Sequence, residues 1–202
     1  MTQSASAARA NFSWRNIDII IAAVIGVAVG LIFVIWNIIG GAGYEAVNAL
    51  TPGLGGLVAG MWFLGGPLGA YIIRKPGAAI FVEVIAATVS ALIGNQWGIS
   101  TLYSGLAQGL GAELVFLILA YKSYNLVTVV ISGLMAGVGA WTFELFTGNL
   151  AKTFEFNVIY LISTALSGAV LAGLLAYFLA KALAATGALD RFAIGRERHD
   201  DV

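Results

Sequence analysis

Apolar residues run along this chain in long uninterrupted blocks rather than in the one-sided stripes of water-soluble helices. A stretch of about 20 apolar residues crosses the ~30 Å hydrocarbon core of a bilayer. Six stretches reach or approach that length: Ile17–Ile39, Thr51–Ile73, Pro76–Ile93, Ile99–Ala120, Leu126–Phe146 and Phe156–Leu183. The pattern predicts an all-α, polytopic membrane protein of six transmembrane helices. Residues 1–16 are expected to form an N-terminal segment, 17–184 the membrane domain and 185–202 a C-terminal tail. Gly53, Gly55, Gly56 and Gly60 crowd the start of the second stretch, so an irregular or re-entrant end is expected there. The third stretch is the shortest. The first is too long for a signal-peptide core and is not followed by a small-residue cleavage pattern, so it reads as a retained helix.

Charge placement gives the orientation. Arg9, Arg15, Arg74, Lys75, Lys122, Lys181, Arg191, Arg196 and Arg198 fall on one side of a six-span arrangement, and Lys152 alone on the other. Lysine and arginine accumulate in cytoplasmic loops, so both termini are expected in the cytoplasm of a multi-pass inner-membrane protein. Composition agrees: 60% of the 202 residues are hydrophobic and 10% charged, against about 25% charged in soluble domains.

The residue inventory removes several function classes. With no cysteine and a single histidine, His199, in the tail, thiolate or histidine metal sites and a Ser-His pair within the spans are excluded, and no metal site, cofactor or catalytic residue is expected. The segment Thr147–Thr153 imitates a Walker A loop but lacks the glycine before Lys152. Nothing points to nucleic acid. A chain of this kind transports passively, uses an ion gradient, or borrows an ATPase.

Three glutamates, Glu83, Glu113 and Glu144, lie within predicted spans, where each costs on the order of 3 kcal/mol at the bilayer centre unless it faces protein or water. Glu83 and Glu113 sit at matching depth, about 10 Å from the cytoplasmic edge. They are candidates for internal fastening of helices three and four, with ligand contact as the alternative. Glu144 lies near the outer end of the fifth span. At the same level stand Trp36, Asn37, Gln96, Trp97, Ser104, Gln108, Trp141 and Tyr160. Aromatic residues gather at membrane interfaces in any case. Amides, hydroxyls and a carboxylate at one depth predict in addition an outward pocket for a small flat cation or a neutral ring compound, held by stacking or cation–π attraction. The small-residue series Ala22, Gly26 and Gly30 allows close helix approach, either within the chain or as a docking face for another subunit.

Two motifs carry a family resemblance. One runs from Ile73-Arg74-Lys75-Pro76-Gly77-Ala78-Ala79 through Glu83 to Gly94-Asn95-Gln96-Trp97-Gly98, and the other is Gln108-Gly109-Leu110-Gly111-Ala112-Glu113 with Val115-Phe116. Together with the tail from Thr186-Gly187 to Gly195-Arg196-Glu197, they resemble the YkoE family, substrate-binding S components of energy-coupling-factor (ECF) transporters. The resemblance implies a six-helix S-component bundle, a pocket near the outer face, and uptake of thiamine or its hydroxymethylpyrimidine precursor. The implied partners are the vitamin ligand, membrane lipid, a transmembrane coupling subunit and two ATP-binding subunits. It implies no enzyme activity in this chain, sets Glu144, the candidate for meeting ligand charge, at a position family members often hold as aspartate, and likens Ala22/Gly26/Gly30 to the face by which S components dock on the coupling subunit. The chain departs from some members in having Ser90 where they carry a second glutamate two turns after Glu83. The competing reading is a solitary proton-coupled carrier with Glu83 and Glu113 as its relay.

Overall fold

The computed structural model describes residues 12–200, with side chains through Glu197. Arg9 and the side chains of Arg198 and His199 lie outside the described residues. Among those described, the structure is helical throughout. The elements are α1 (Asn16–Leu50), α2 (Gly56–Ile73), α3 (Ala78–Ile93), α4 (Ser100–Ile118), α5 (Leu126–Thr147), α6 (Phe154–Ala185) and a short α7 (Ala193–Asp200). Five of these are long and apolar enough to span a membrane, and α3, at 16 residues, is the shorter sixth. Ile38, Leu92 and Ile118 are at least 75% exposed, in company with Ile20, Val24, Ile35, Val127 and Phe178. A surface this apolar is untenable in water and suits lipid.

α1 corrects the expected boundary. It continues eleven residues past Ile39 to Leu50, giving 35 residues in one helix. At 1.5 Å per residue that is about 52 Å, well beyond the hydrocarbon thickness. The extra turns carry Gly41, Tyr44 and Glu45 to the rim of a cavity.

α2 is interrupted where the glycines predict trouble. An α-helical turn, Gly56–Ala59, gives way to a 3₁₀ turn, Gly60–Phe63, before the helix resumes at Gly65. Opposite this break α6 widens into a π-helical stretch, Gly168–Leu174. A Cβ on Gly60 would stand 2.3 Å from the Ser167 carbonyl oxygen, so only glycine permits this approach. Ser167 Oγ then accepts from Gly60 N–H (2.9 Å) and donates to Leu57 O (2.6 Å), satisfying backbone groups the irregular turn leaves over.

Two of the three intramembrane glutamates close helix ends. Glu83 Oε2 accepts from Gly66 N–H at 2.6 Å, at the start of the second half of α2. Such N-termini present unpaired donors and positive dipole ends. Glu113, on α4, accepts from Gly77 N–H (2.6 Å) and Ala79 N–H (2.8 Å) at the start of α3, and from Tyr121 Oη (2.8 Å). Tyr121 and Ala120 are both left-handed, with φ of 55° and 51°, a rare conformation for side-chain-bearing residues. That turn aims the tyrosine back at Glu113. Replacing Glu83 by alanine is expected to lower stability by about 1–3 kcal/mol, the cost of orphaning the buried N–H group of Gly66. Thermal unfolding of the detergent-solubilised protein measures it. Glu83→Gln, which keeps an acceptor oxygen, should recover at least half the loss, and equal losses would show that bulk rather than capping matters.

The C-terminal segment is packed rather than loose. Leu189, Phe192 and Ile194 join a core cluster to which α1, α2, α3, α5 and α6 all contribute. Arg74 pairs with Glu197 through its two terminal guanidinium nitrogens, one contact measuring 2.8 Å, and lies over the rings of Tyr71 and Tyr124. The hydrogen bond from Arg74 holds the Glu197 carboxyl below its ordinary range.

Candidate ligand pocket

A cavity of about 480 Å³ opens at the end of the bundle remote from Arg74, Lys75 and Lys122, within the ~300–1,000 Å³ usual for small-molecule sites. Its walls come from every spanning element. α1 contributes Phe33, Asn37, Tyr44 and Glu45, α2 contributes Trp62, α3 Ser90, α4 Ser104 and Gln108, α5 Phe143 and Glu144, and α6 Tyr160. The α3–α4 turn supplies Gln96 and Trp97. Among the described residues two carboxyl groups and no lysine or arginine line it, so its field favours a cation.

The floor is a bonded polar layer. Trp62 Nε1 donates to Asn37 Oδ1 (2.9 Å) and Asn37 Nδ2 to Ser90 Oγ (3.0 Å). Trp62 also meets Trp97 edge to face, with ring centroids 5.4 Å apart. With the Gln108 amide oxygen accepting from Ser104 Oγ (2.8 Å), its nitrogen reaches Trp62 O (3.0 Å) and Glu83 Oε1 (3.2 Å). Glu83 therefore touches the pocket through Gln108 rather than directly. On the opposite wall the Tyr160 hydroxyl lies beside the Glu144 carboxyl and the Tyr44 hydroxyl. The two rings stand edge to face, 6.3 Å between centroids.

Of the expected ligand residues, Glu144, Trp97, Gln96, Gln108, Ser104, Asn37 and Tyr160 line this one cavity. Two do not. Trp36 donates to Val58 O (3.1 Å) and covers Gly40, fastening α1 to α2. Trp141 donates to Asn157 O (3.0 Å), fastening α5 to α6. Both face helix partners because a buried indole N–H needs an acceptor and a carbonyl was nearest. The docking stripe is corrected too. A Cβ on Gly26 would stand 2.6 Å from Ile85 Cγ2, one on Gly30 2.6 Å from Val89 Cβ, and Ala22 is fully buried. This stripe is covered by α3 of the same chain, so it is not an open face.

Trp62, Tyr44, Glu45, Ser90 and Phe33 belong to the pocket beyond the expected set. Tyr44 and Glu45 lie beyond Ile39, where the apolar run of the first stretch ends, on turns of α1 that its hydrophobicity does not mark. Trp62 sits in a glycine-rich apolar span with no polar neighbour in sequence to mark it.

Comparison with known proteins gives concordant results. Residues 17–139 match a family model described as the permease component of an ABC-type cobalt transport system. The chain is 37% identical over 188 residues to the HMP/thiamine permease protein YkoE of Bacillus subtilis (strain 168), covering 92% of each. A crystal structure of an S-component of an ECF transporter superposes with a TM-score of 0.86 at 34% identity, covering 94% of this chain and 95% of that one. The chain belongs to the YkoE family of ECF-transporter S components. It is a multi-pass bacterial membrane protein and the substrate-binding subunit of an ECF-type transporter.

Proposed function

We propose that this subunit captures thiamine, or the hydroxymethylpyrimidine part of it, from outside the cell. The observation that carries the reading is the cavity itself: aromatic walls of Trp62, Trp97, Tyr44 and Tyr160 around two carboxyl groups, Glu45 and Glu144, with no opposing base. A flat heteroaromatic cation matches such a site by stacking, cation–π attraction and charge. The name of the Bacillus subtilis relative points to the same cargo. The cobalt in the family-model description is a poorer match, because imidazole and thiolate are the donors that hold such metals well. The chain has no cysteine, and its one histidine is in the tail.

The basic end, with Arg15, Arg74, Lys75, Lys122 and Lys181, lies in the cytoplasm together with both termini and the 185–202 tail, by the positive-inside rule. Transport follows from reorientation of this subunit against a transmembrane coupling subunit, driven by two ATP-binding subunits. The chain itself performs no chemistry. Glu83 and Glu113 are engaged by backbone N–H groups at helix starts, which leaves little for a solitary proton relay. Purified full-length protein in lipid nanodiscs should quench its tryptophan fluorescence saturably with thiamine or hydroxymethylpyrimidine. No saturable response to either would overturn the cargo.

A further inference from the structure

We propose that Ser90 is a specificity-determining hydrogen-bond donor, so that the cargo must present a lone-pair acceptor, such as a ring nitrogen, to the cavity floor. The inference rests on the cargo reading above and sharpens it to one atom type at one position.

The argument is one of donor and acceptor capacity. Ser90 lines the cavity while only 1% exposed. Its Oγ receives two amide donors, Asn37 Nδ2 at 3.0 Å and Asn95 Nδ2 at 3.3 Å. The orientation of each amide is fixed independently. Asn37 Oδ1 is taken by the indole N–H of Trp62 (2.9 Å). Asn95 Oδ1 is taken by the backbone N–H groups of Trp97 (2.9 Å) and Gly98 (2.8 Å), and by Thr101 Oγ1 (3.1 Å). Indole and backbone N–H groups can only donate. Neither amide can therefore be turned round without facing donor to donor, and both must offer NH₂ to Ser90.

A serine hydroxyl has one proton and two lone pairs. The two amides use both lone pairs. The proton remains, and among the described residues it finds no acceptor: Ser90 makes no bond to a carbonyl of its own helix, although Thr88 on the same helix bonds Val84 O at 2.7 Å. A buried hydroxyl proton without a partner is costly. An acceptor on the ligand, placed over Ser90, supplies that partner.

The cavity thus reads two opposite features. The Glu144 wall accepts, favouring a donor or a cation, whereas the Ser90 floor donates, favouring a lone pair. A ring with an acceptor nitrogen along one edge and a positive group on the other side fits both. A hydrocarbon ring or an ammonium directed at Ser90 does not.

The test is a fluorescence titration of full-length protein in nanodiscs, using Trp62 and Trp97 as reporters. The probes are hydroxymethylpyrimidine and its two deaza analogues, each with one ring nitrogen replaced by CH. Wild-type protein should bind one analogue about 10-fold or more weakly than the parent, the loss of one buried hydrogen bond. Two variants separate donation from folding. Ser90→Ala removes the hydroxyl, and Ser90→Asp still accepts from Asn37 and Asn95 but lacks the proton. Both should bind the parent and the disfavoured analogue within about 2-fold of each other, an abolished preference. Retention of the wild-type preference in both variants, or equal binding of all three probes by wild type, overturns the Ser90 assignment and leaves the cargo reading standing. No binding of any probe or of thiamine by wild type overturns the cargo reading and the assignment with it.

Discussion

Glu144→Gln is expected to weaken binding of thiamine, a permanent cation, by about 10- to 100-fold, the range for losing a charge-assisted contact in a partly desolvated site. Binding of neutral hydroxymethylpyrimidine should change by about 3-fold or less. The asymmetry follows from the arrangement of the wall. Tyr160 stands beside Glu144 in that wall, and glutamine is close to glutamate in shape, so the substitution removes charge with little change of form. Glu45, at the more open rim of the same cavity, is better solvated and should matter less. Paired titrations of the two ligands against wild type and variant decide the matter. Equal losses for both would mean that Glu144 does not face the charge. A loss confined to hydroxymethylpyrimidine would reverse the proposed placement of the ligand.

The second large effect is expected at Gly133. The helices α5 and α6 meet there almost backbone to backbone: a Cβ on Gly133 would stand 2.2 Å from Gly168 O, and a Cβ on Gly168 2.2 Å from Gly133 O. Gly137 repeats the contact one turn on, 2.3 Å from Thr164 O. Because lipid gives no hydrophobic force between helices, such close packing supplies much of what joins them. Gly133→Val would push the two helices apart and take Glu144 out of register with Tyr160. The expected result is a destabilisation above about 3 kcal/mol, read as loss of monodisperse protein on size exclusion and a lowered melting point. Gly41→Val serves as the control, because no atom lies within 4 Å of a Cβ built there. Equal behaviour of the two variants would show that the glycines at 133 and 168 do not set the α5–α6 distance.

Individual residues show how far sequence patterns reach. Glu144, Trp97 and Gln108 were legible because polar groups at one depth of an apolar span need a common environment. Trp36 and Trp141 share that depth, yet each turns to a neighbouring carbonyl. Depth is a property of position along a helix, whereas direction depends on which helix stands beside it. The same limit applies to Ala22, Gly26 and Gly30. Their spacing announces a close approach without naming the partner, and the partner is α3 rather than another subunit.

Glu83 and Glu113 make the point for charge. Their presence inside apolar spans demanded hydrogen-bond donors, and no lysine or arginine was deep enough to serve. The donors are backbone N–H groups at the starts of the second half of α2 and of α3. Backbone amides appear in every sequence equally, so only the helix break at Gly60–Phe63 and the turn at Gly77 make these ones available.

By itself, then, the sequence determined that the chain spans a membrane, where its helices lie to within a few residues except at the end of α1, and which depth carries the polar chemistry. Those properties follow from hydrophobicity and length, which act along the chain. The tertiary structure decided which aromatics face the cavity, brought Trp62, Ser90 and Glu45 into it, and turned two carboxyl groups into helix caps. Those outcomes depend on the rotation of each helix about its axis and on the fit of its neighbours, and close packing between helices sets both.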